Sequence, residues 1–322
     1  MNALVTGVAG FIGSTLAGRL LDQGARVTGI DCFTDYYPRP VKEANVRTLL
    51  GRPGFEFVES TIQAANLTRL LAGTTHVFHL AAQAGVRKSW GRDFDVYTTN
   101  NIEATQVLLE ACVGTAVERL VYASSSSVYG DDTPLPMRET AVPAPLSPYG
   151  VTKLAAEHLC NLYHANHGVP CVSLRYFTVY GPRQRPDLAI HKFARILADG
   201  GEIEQFGDGG SERDYTYVDD IVDGVVRVID RPFRYEVFNL GAGRMTDLRT
   251  LIKTLASALG KMAVIDEQPL QPGDALETQA DVSKARRMLG YEPQFTVETG
   301  IPRFVDWFRQ NNAASQAASA NG

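Results

Sequence analysis

The chain is expected to fold as an α/β protein, with a doubly wound parallel sheet followed by a smaller α/β region. Three observations carry this. Short apolar runs alternate with helix-like segments through residue 175, the rhythm of strands joined by helical crossovers. A glycine-rich turn, "VTGVAGFIG", follows the first run, and an acidic residue, Asp31, closes the second. A strand, a glycine turn, a helix and then an acid at the end of the next strand is the order of a Rossmann dinucleotide-binding unit.

In chain order, "ALVTG", "RVTGID", "EFVES", "HVFHLAA", "ERLVYASS" and "CVSLRYF" read as strands, being short apolar runs bounded by turn signals. Helices are expected over Ile12 to Asp22, Ala65 to Leu71, Asp95 to Val113 and Pro148 to Asn166. Beyond about residue 176 the rhythm breaks into Pro- and Gly-rich loops, "YGPRQRPD", "FGDGGSERD" and "QPLQPGD", between shorter helices. Residues 1–175 are therefore assigned to nucleotide binding, rejoined by about 215–260, and 176–310 mainly to substrate binding. The ending "QNNAASQAASANG" has no apolar period, so 311–322 is expected to be a flexible tail.

The 322 residues are 44% hydrophobic and 21% charged, with a formal net charge of −5. A net acidic chain speaks against nucleic acid or an anionic membrane as partner and leaves room for a local basic pocket. Cys32, Cys112, Cys160 and Cys171 stand far apart without a C-x-x-C pair, which fits reduced thiols in the cytoplasm. The first basic residue, Arg19, follows the N-terminal apolar run rather than preceding it, unlike a secretory leader. His158, His164 and His167 share one helical segment, but no acidic partner is spaced to complete a metal site, so no metal is expected. His79 reads as a packed strand residue.

Gly7, Gly10 and Gly13 allow the backbone to turn tightly and approach a pyrophosphate at the N-terminus of the first helix. The Asp31 carboxylate can accept from ribose hydroxyls and would repel a 2'-phosphate, and no basic residue follows before Arg39, so the cofactor is expected to be NAD rather than NADP. In "SPYGVTK", Ser147 is a plausible N-cap and Pro148 a first helical residue. Tyr149 and Lys153 then lie on one helix face, where an ammonium can lower the phenol pKa and make Tyr149 a base. "ASSSSVYG", Ala123 to Gly130, places four hydroxyls at a strand end, more than packing requires.

Together "TGVAGFIG", "HLAA", "SSSSVYG", "SPYGVTK" and "RYFTVYGP" resemble the extended short-chain dehydrogenase/reductase family of nucleotide-sugar epimerases and dehydratases, from Met1 to about Phe308. Four less generic stretches, "IDCFTDYY", "HLAAQAGVR", "SSSSVYG" and "FTVYGPRQRPD", are most similar to members that invert C4 of UDP-glucuronate. The resemblance implies an isomerase with NAD held at the glycine turn by Phe11 and Ile12 as well, at Thr61 and Ile62, and at Leu80, Ala81 and Ala82. It implies Ser125, Tyr149 and Lys153 as catalytic residues, Lys153 also holding the nicotinamide ribose. Ser124 is expected to satisfy backbone groups, and Asn100 resembles a structural Asn of the family.

For the UDP-sugar, the resemblance implies Arg213 at the pyrophosphate, Phe206 against uracil and Asp274 at the uridine ribose. Sugar contacts are assigned to Ser126, Ser127 and Thr178, with Arg87 and Arg185 as charge partners. Dehydratases and decarboxylases of the family carry an acid just before "VYG", where this chain has Ser126 and Ser127. Two departures are Gln271, where many members have a phosphate-binding Arg, and Thr61, where many have an Asp against adenine. The expected activity is C4 epimerisation of UDP-glucuronate. A UDP-glucose or UDP-N-acetylhexosamine 4-epimerase, a decarboxylase, and a non-catalytic sensor of NAD(H) or nucleotide sugar are the alternatives. The helices Asp95 to Val113 and Pro148 to Asn166 form a dimer bundle in members of the family, which implies a homodimer.

Overall fold

The structure is a computed structural model that describes residues 1–269 and 277–320. The chain begins β1 (Asn2–Thr6), α1 (Phe11–Asp22), β2 (Arg26–Asp31), α2 (Arg39–Arg47), β3 (Phe55–Glu59) and α3 (Leu67–Leu71). It continues with β4 (His76–His79), α4 (Phe94–Tyr97), α5 (Ala104–Cys112), β5 (Arg119–Ser125), α6 (Pro148–His167) and β6 (Cys171–Tyr176). The second half holds β7 (Thr178–Tyr180), α7 (Ala189–Asp199), β8 (Glu202–Phe206), β9 (Glu212–Arg213), β10 (Tyr215–Tyr217), α8 (Val218–Arg227) and β11 (Glu236–Leu240). Then come β12 (Thr246–Asp247), α9 (Leu248–Leu259), β13 (Val264–Gln268), β14 (Glu277–Thr278), α10 (Ser283–Leu289) and α11 (Val297–Ala320).

Seven parallel strands form one sheet in the order β11-β6-β5-β4-β1-β2-β3. The strands are apolar because both faces are covered. On one face Leu16 and Leu20 of α1, Val222 and Val225 of α8 and Leu289 of α10 pack on Val5, Val121 and Phe238. On the other, Leu71 of α3, Leu108 of α5 and Ala156 of α6 pack on Leu4, Val77 and Leu120. The doubly wound Rossmann sheet expected from the alternation of runs is therefore present. Its strand order reverses between β1 and β4, which opens a crevice at their carboxyl ends.

A second core joins Phe193 of α7, Leu251 and Leu255 of α9 and Phe304 of α11 to Tyr215 and Tyr217 of β10. Smaller sheets, β10-β7, β12-β9-β14 and β13-β8, edge this part. Asp214, fully buried, is its clamp: the carboxylate accepts from the amides of Ala242, Gly243 and Ala280 at 2.7 to 3.1 Å and from the Thr216 hydroxyl at 2.8 Å. It thereby ties the start of β10 to the turn after β11.

Two segments differ from the sequence expectation. The single helix expected over Asp95 to Val113 is interrupted by a π-helical stretch, Thr98–Glu103, between α4 and α5. Such insertions turn a side chain out of helical register, and here the side chain is Asn101. It is buried, accepts from the Gln83 amide at 2.7 Å, and donates to the Gln83 carbonyl and the Thr152 hydroxyl at 3.0 and 2.9 Å. The structural Asn is therefore Asn101, whereas Asn100 donates to the Val96 carbonyl. At the C-terminus, α11 continues through Ala320, beyond the last apolar period. The alanine-rich sequence has the intrinsic propensity to extend a helix already anchored by packing.

Removing the Asp214 carboxylate leaves three buried amides without acceptors. At ~1–3 kcal/mol for each orphaned group, Asp214→Ala is expected to destabilise the fold by at least about 3 kcal/mol, measurable as a lowered urea midpoint; a midpoint within error of wild type would remove Asp214 as the clamp.

Candidate active site

The crevice between β1 and β4 is a cleft of about 220 Å³. Its floor is the turn Gly7 to Gly13. Gly7 has φ +71, and a Cβ there would lie 2.8 Å from the Ala81 amide; a Cβ on Gly13 would lie 2.2 Å from the Gly7 carbonyl. Only glycine permits this three-way approach of the turn, the start of α1 and the loop after β4. Helix α1 begins with no side-chain cap and no acid in its first turn. Its N-terminal amides and positive dipole end, beside Phe11 and Ile12, are thus left to an anion.

Asp31, at the end of β2, accepts from the amides of Ala9 and Phe33 at 3.0 and 2.9 Å. Burial raises its pKa, and those two bonds and the Lys42 charge pull it back. Thr61 and Ile62 after β3 form one wall, and Leu80, Ala81 and Ala82 after β4 the other. Every residue assigned to cofactor binding thus lines one cleft. Tyr176 adds an independent sign that a ligand belongs there: its hydroxyl is buried with no hydrogen-bond partner among the described residues, and the residue lines both this cleft and its neighbour. A dinucleotide matches the uncapped helix, the ribose-facing carboxylate and this orphaned hydroxyl.

Tyr149 and Lys153 enter from α6, which starts as expected with the Ser147 hydroxyl accepting from the Gly150 amide at 3.1 Å. Gly150 is required because a Cβ would lie 2.2 Å from the Ser127 carbonyl, a contact that holds α6 against the serine turn. Tyr149 and Ser125 line the same cavity, and the Ser125 hydroxyl accepts from the Ser127 amide at 3.1 Å. Burial raises the Tyr149 pKa; the Ser125 side chain and the Arg185 charge act in the opposite direction.

The sequence assigns that opposing charge to Lys153, and the structure places Arg185 in the role. The Lys153 ammonium lies 4.8 Å from the Tyr122 ring centre, and burial pushes its pKa down to about 8 against the Glu157 charge.

A second cavity, of about 340 Å³, adjoins the first at Tyr149, Tyr176 and Arg185. Ser125, Ser126, Ser127 and Thr178 line it together with Arg213. No carboxylate lines it among the described residues. Arg185 forks onto Asp187, at 2.9 Å for each bond, and packs 5.6 Å from the Tyr36 ring centre. Arg87 and Phe206 do not line this cavity; they meet each other, guanidinium over ring at 5.4 Å. Asp274 and Gln271 lie outside the described residues.

Ser124 departs from expectation. Its hydroxyl donates not to backbone but to the buried carboxylate of Glu157, at 2.5 Å. Sequence reasoning also missed Tyr36, Tyr37 and Lys42 in the cofactor cleft. "FTDYY" contributes to the resemblance without an assigned contact, yet it and the start of α2 line the crevice, where the Lys42 ammonium is held by the Thr34 hydroxyl at 2.9 Å. His79 is buried between the Thr6 and Thr105 hydroxyls at 2.8 and 3.0 Å. His164 bonds the Val169 carbonyl and His167 packs on Tyr163. All four cysteines are free thiols.

Residues 3–241 match the family model described as the NAD dependent epimerase/dehydratase family. A UDP-glucuronate 4-epimerase of Thermodesulfobacterium geofontis is 38% identical over 312 residues, covering 96% of this chain and 96% of the relative. A Bacillus subtilis protein called uncharacterized UDP-glucose epimerase YtcB is 41% identical over 303 residues, covering 94% and 96%. The crystal structure of UDP-glucuronic acid 4-epimerase from Bacillus cereus, in complex with UDP-glucuronic acid and NAD, superposes with a TM-score of 0.93 at 42% identity, over 96% of this chain and 99% of that one. A glycine-turn crevice, a Ser-Tyr pair at its mouth and a match running through most of the sheet converge: the chain belongs to the NAD dependent epimerase/dehydratase family.

Proposed function

We propose that the protein is an NAD-dependent UDP-sugar 4-epimerase that interconverts UDP-glucuronate and UDP-galacturonate through a transient 4-keto sugar. One observation carries this reading: Ser125 and Tyr149 together face a cavity lined by hydroxyls and two arginines, with no carboxylate among its described residues. A dehydratase or decarboxylase needs an acid beside the sugar, and the serines of "SSSSVYG" supply none. A non-catalytic sensor would have no use for a serine hydroxyl and a phenol, Ser125 and Tyr149, facing one cavity. An epimerase of UDP-glucose or UDP-N-acetylhexosamine remains the second reading, favoured by the name of the Bacillus subtilis relative.

The proposed roles follow from position. NAD, when bound, supplies hydride acceptance and return at sugar C4. Tyr149, with its phenolic proton removed, takes the proton of the 4-hydroxyl, and Ser125 fixes the sugar oxygen beside it. Arg185 favours the phenolate by its charge, and Lys153 is proposed to hold the nicotinamide ribose. Inversion requires the keto sugar to present its opposite face before Tyr149 returns the proton.

A C5 carboxylate beside a C4 ketone is a β-keto acid, which loses carbon dioxide when the breaking bond aligns with the carbonyl π system. Ser127 and Thr178 are proposed to hold that carboxylate out of alignment, with Ser126 and Arg185 alongside. Arg213 is proposed for the pyrophosphate, Arg87 and Phe206 for the uridine end, and Asp274 for its ribose.

Residues 1–175, rejoined by about 215–260, are proposed to carry NAD, and 176–310 mainly the nucleotide sugar, with 311–322 as a tail. A homodimer through the α5 and α6 faces is supported by the exposed Val151 and Leu162 on α6. Among the described residues no helix is long and apolar enough to cross a membrane. Free, mostly buried thiols support a cytoplasmic location.

The direct test is to incubate the purified protein with UDP-glucuronate, UDP-glucose and UDP-N-acetylglucosamine and resolve the product sugars by chromatography; turnover of only the neutral sugars would transfer the assignment to the second reading. Tyr149→Phe is expected to lower kcat by about 10²- to 10⁴-fold while bound NAD, released by denaturation and quantified by absorbance, stays near wild type. Activity like wild type would end the role of Tyr149 as base.

Asp31→Ala is expected to weaken NAD binding and narrow its preference over NADP, read by titration of cofactor-depleted protein. A wild type that prefers NADP would contradict the carboxylate's assignment.

Thr178→Val and Ser127→Ala should each slow UDP-glucuronate turnover by roughly 10- to 100-fold, the loss of a charge-assisted hydrogen bond, and UDP-glucose turnover less. Mass spectrometry of products at matched turnover should show a larger fraction of UDP-pentose. Equal losses on both sugars with no pentose would assign these hydroxyls to the general pocket.

A further inference from the structure

Beneath the catalytic pair lies a buried ionic cluster that the proposed mechanism does not use. Glu157, one turn beyond Lys153 on α6, and Arg175, on β6, are each 4% exposed. The pair is bidentate, Arg175 Nε and Nη2 donating to the two Glu157 oxygens at 2.9 and 2.8 Å. Ser124 Oγ donates to the same carboxylate at 2.5 Å, and Ser124 stands opposite Arg175 across β5 and β6. Tyr129 covers the guanidinium with its ring centre at 4.8 Å and donates its own hydroxyl to Asn239 at 2.8 Å. The Tyr235 hydroxyl caps the Glu157 carbonyl at 3.1 Å.

A buried ion pair with no further task is a poor device for stability, since well-packed apolar residues often serve as well or better. This one sits where it can act on the chemistry. Ser124 directly precedes Ser125, whose side chain lines the same cavity as Tyr149 and acts to lower the phenol pKa. Around the Lys153 ammonium stand Glu157 and Cys160 from its own helix, the Tyr122 ring from β5 and, from β4, His79, held neutral with its pKa near 3 by burial and by the Lys153 charge. Glu157 is the carboxylate whose field reaches Lys153, among the described residues. Lys42, Lys153, Arg185 and Arg213 also line the two cavities, with Asp31 in the cofactor cleft and Asp187 paired to Arg185.

We propose that Glu157 is a positioning residue for the reaction: through Ser124 it fixes the neighbouring Ser125 hydroxyl against Tyr149, and its charge keeps Lys153 in the ammonium form. This deepens the epimerase reading and rests on it. The sign follows from burial, which has already brought the Lys153 pKa down to about 8. Activity that needs the ammonium is present below that value and lost as pH rises through it. Removing the Glu157 charge lowers the value further, so the alkaline limb moves toward acid.

The test is the pH profile of kcat for UDP-glucuronate, from about pH 6 to 9.5, in three variants compared with wild type. Glu157→Gln keeps the shape and removes the charge. Glu157→Gln combined with Arg175→Met removes the pair together and leaves no unpaired buried cation. Ser124→Ala breaks the serine bond and keeps the ion pair. The alkaline limb is expected to fall by about one pH unit or more in both variants that carry Glu157→Gln, the size of shift a nearby opposite charge produces. It should stay in place for Ser124→Ala, whose kcat should drop about tenfold at unchanged KM, the loss of one fixed hydrogen bond. An unmoved limb in a folded variant lacking the Glu157 charge, with kcat lowered equally at every pH, would reduce the cluster to a structural tie. Should neither charge variant fold, Ser124→Ala decides alone, and an unchanged kcat overturns the proposal. Wild-type protein with no epimerase turnover would instead overturn the functional reading, so the two failures are distinguishable.

Discussion

Parallel strands deliver all their carboxyl ends to one edge of the sheet, and where the winding reverses, between β1 and β4, the crossover helices part and leave that edge uncovered. The rest of the site depends on this crevice. The Gly7 to Gly13 turn closes it below, the loops after β3 and β4 wall it, and α6 crosses its mouth. The crevice is narrow because backbones meet where no Cβ can fit, at Gly7 against Ala81 and at Gly13 against Gly7. Glycine there serves close approach as much as turning.

Helix α6 connects this crevice to the chemistry. Its first turn is set by the Ser147 cap and by the absence of a side chain at Gly150. Its middle is pinned by Thr152 to Asn101 and by Glu157 to Arg175. One rigid element therefore presents Tyr149 to both cavities and Lys153 to the glycine-turn cleft. A reaction that removes and returns one proton at the same oxygen needs that kind of fixed geometry.

Charge is distributed with the same economy. The sugar-side cavity holds Arg185 and Arg213, and hydroxyls where related dehydratases and decarboxylases carry an acid. For a substrate with its own carboxylate and two phosphates this is complementary, and it withholds the acid that would carry the keto sugar elsewhere. The one buried carboxylate acting on Lys153, Glu157 among the described residues, lies outside the lining of both cavities.

Much of this was legible in the sequence because the relevant physics is local. The glycine spacing and Asp31 are consequences of one strand-turn-helix-strand unit, and Tyr149 and Lys153 of one helical turn, so their joint placement in the cleft needs no long-range information. What the sequence could not order was anything set by burial or by contacts between distant segments. The aromatic loop Tyr36 and Tyr37 reaches the cleft from the β2–α2 connection, and Arg185 arrives from the second half to line the same cavities as Tyr149 and supply the charge expected of Lys153. Asn101 is buried against Gln83 and Thr152 within a π-helical stretch, a distortion with no sequence signature, while Asn100 lines the cleft. Ser124 looked like a backbone-satisfying loop residue until β6 and α6 brought Arg175 and Glu157 beneath it. The sequence by itself determined the fold class and the chemical types at the site. Which of those groups are desolvated, and whose charges they then feel, was decided by the tertiary structure, because desolvation and Coulomb energies depend on neighbours that chain order does not bring together.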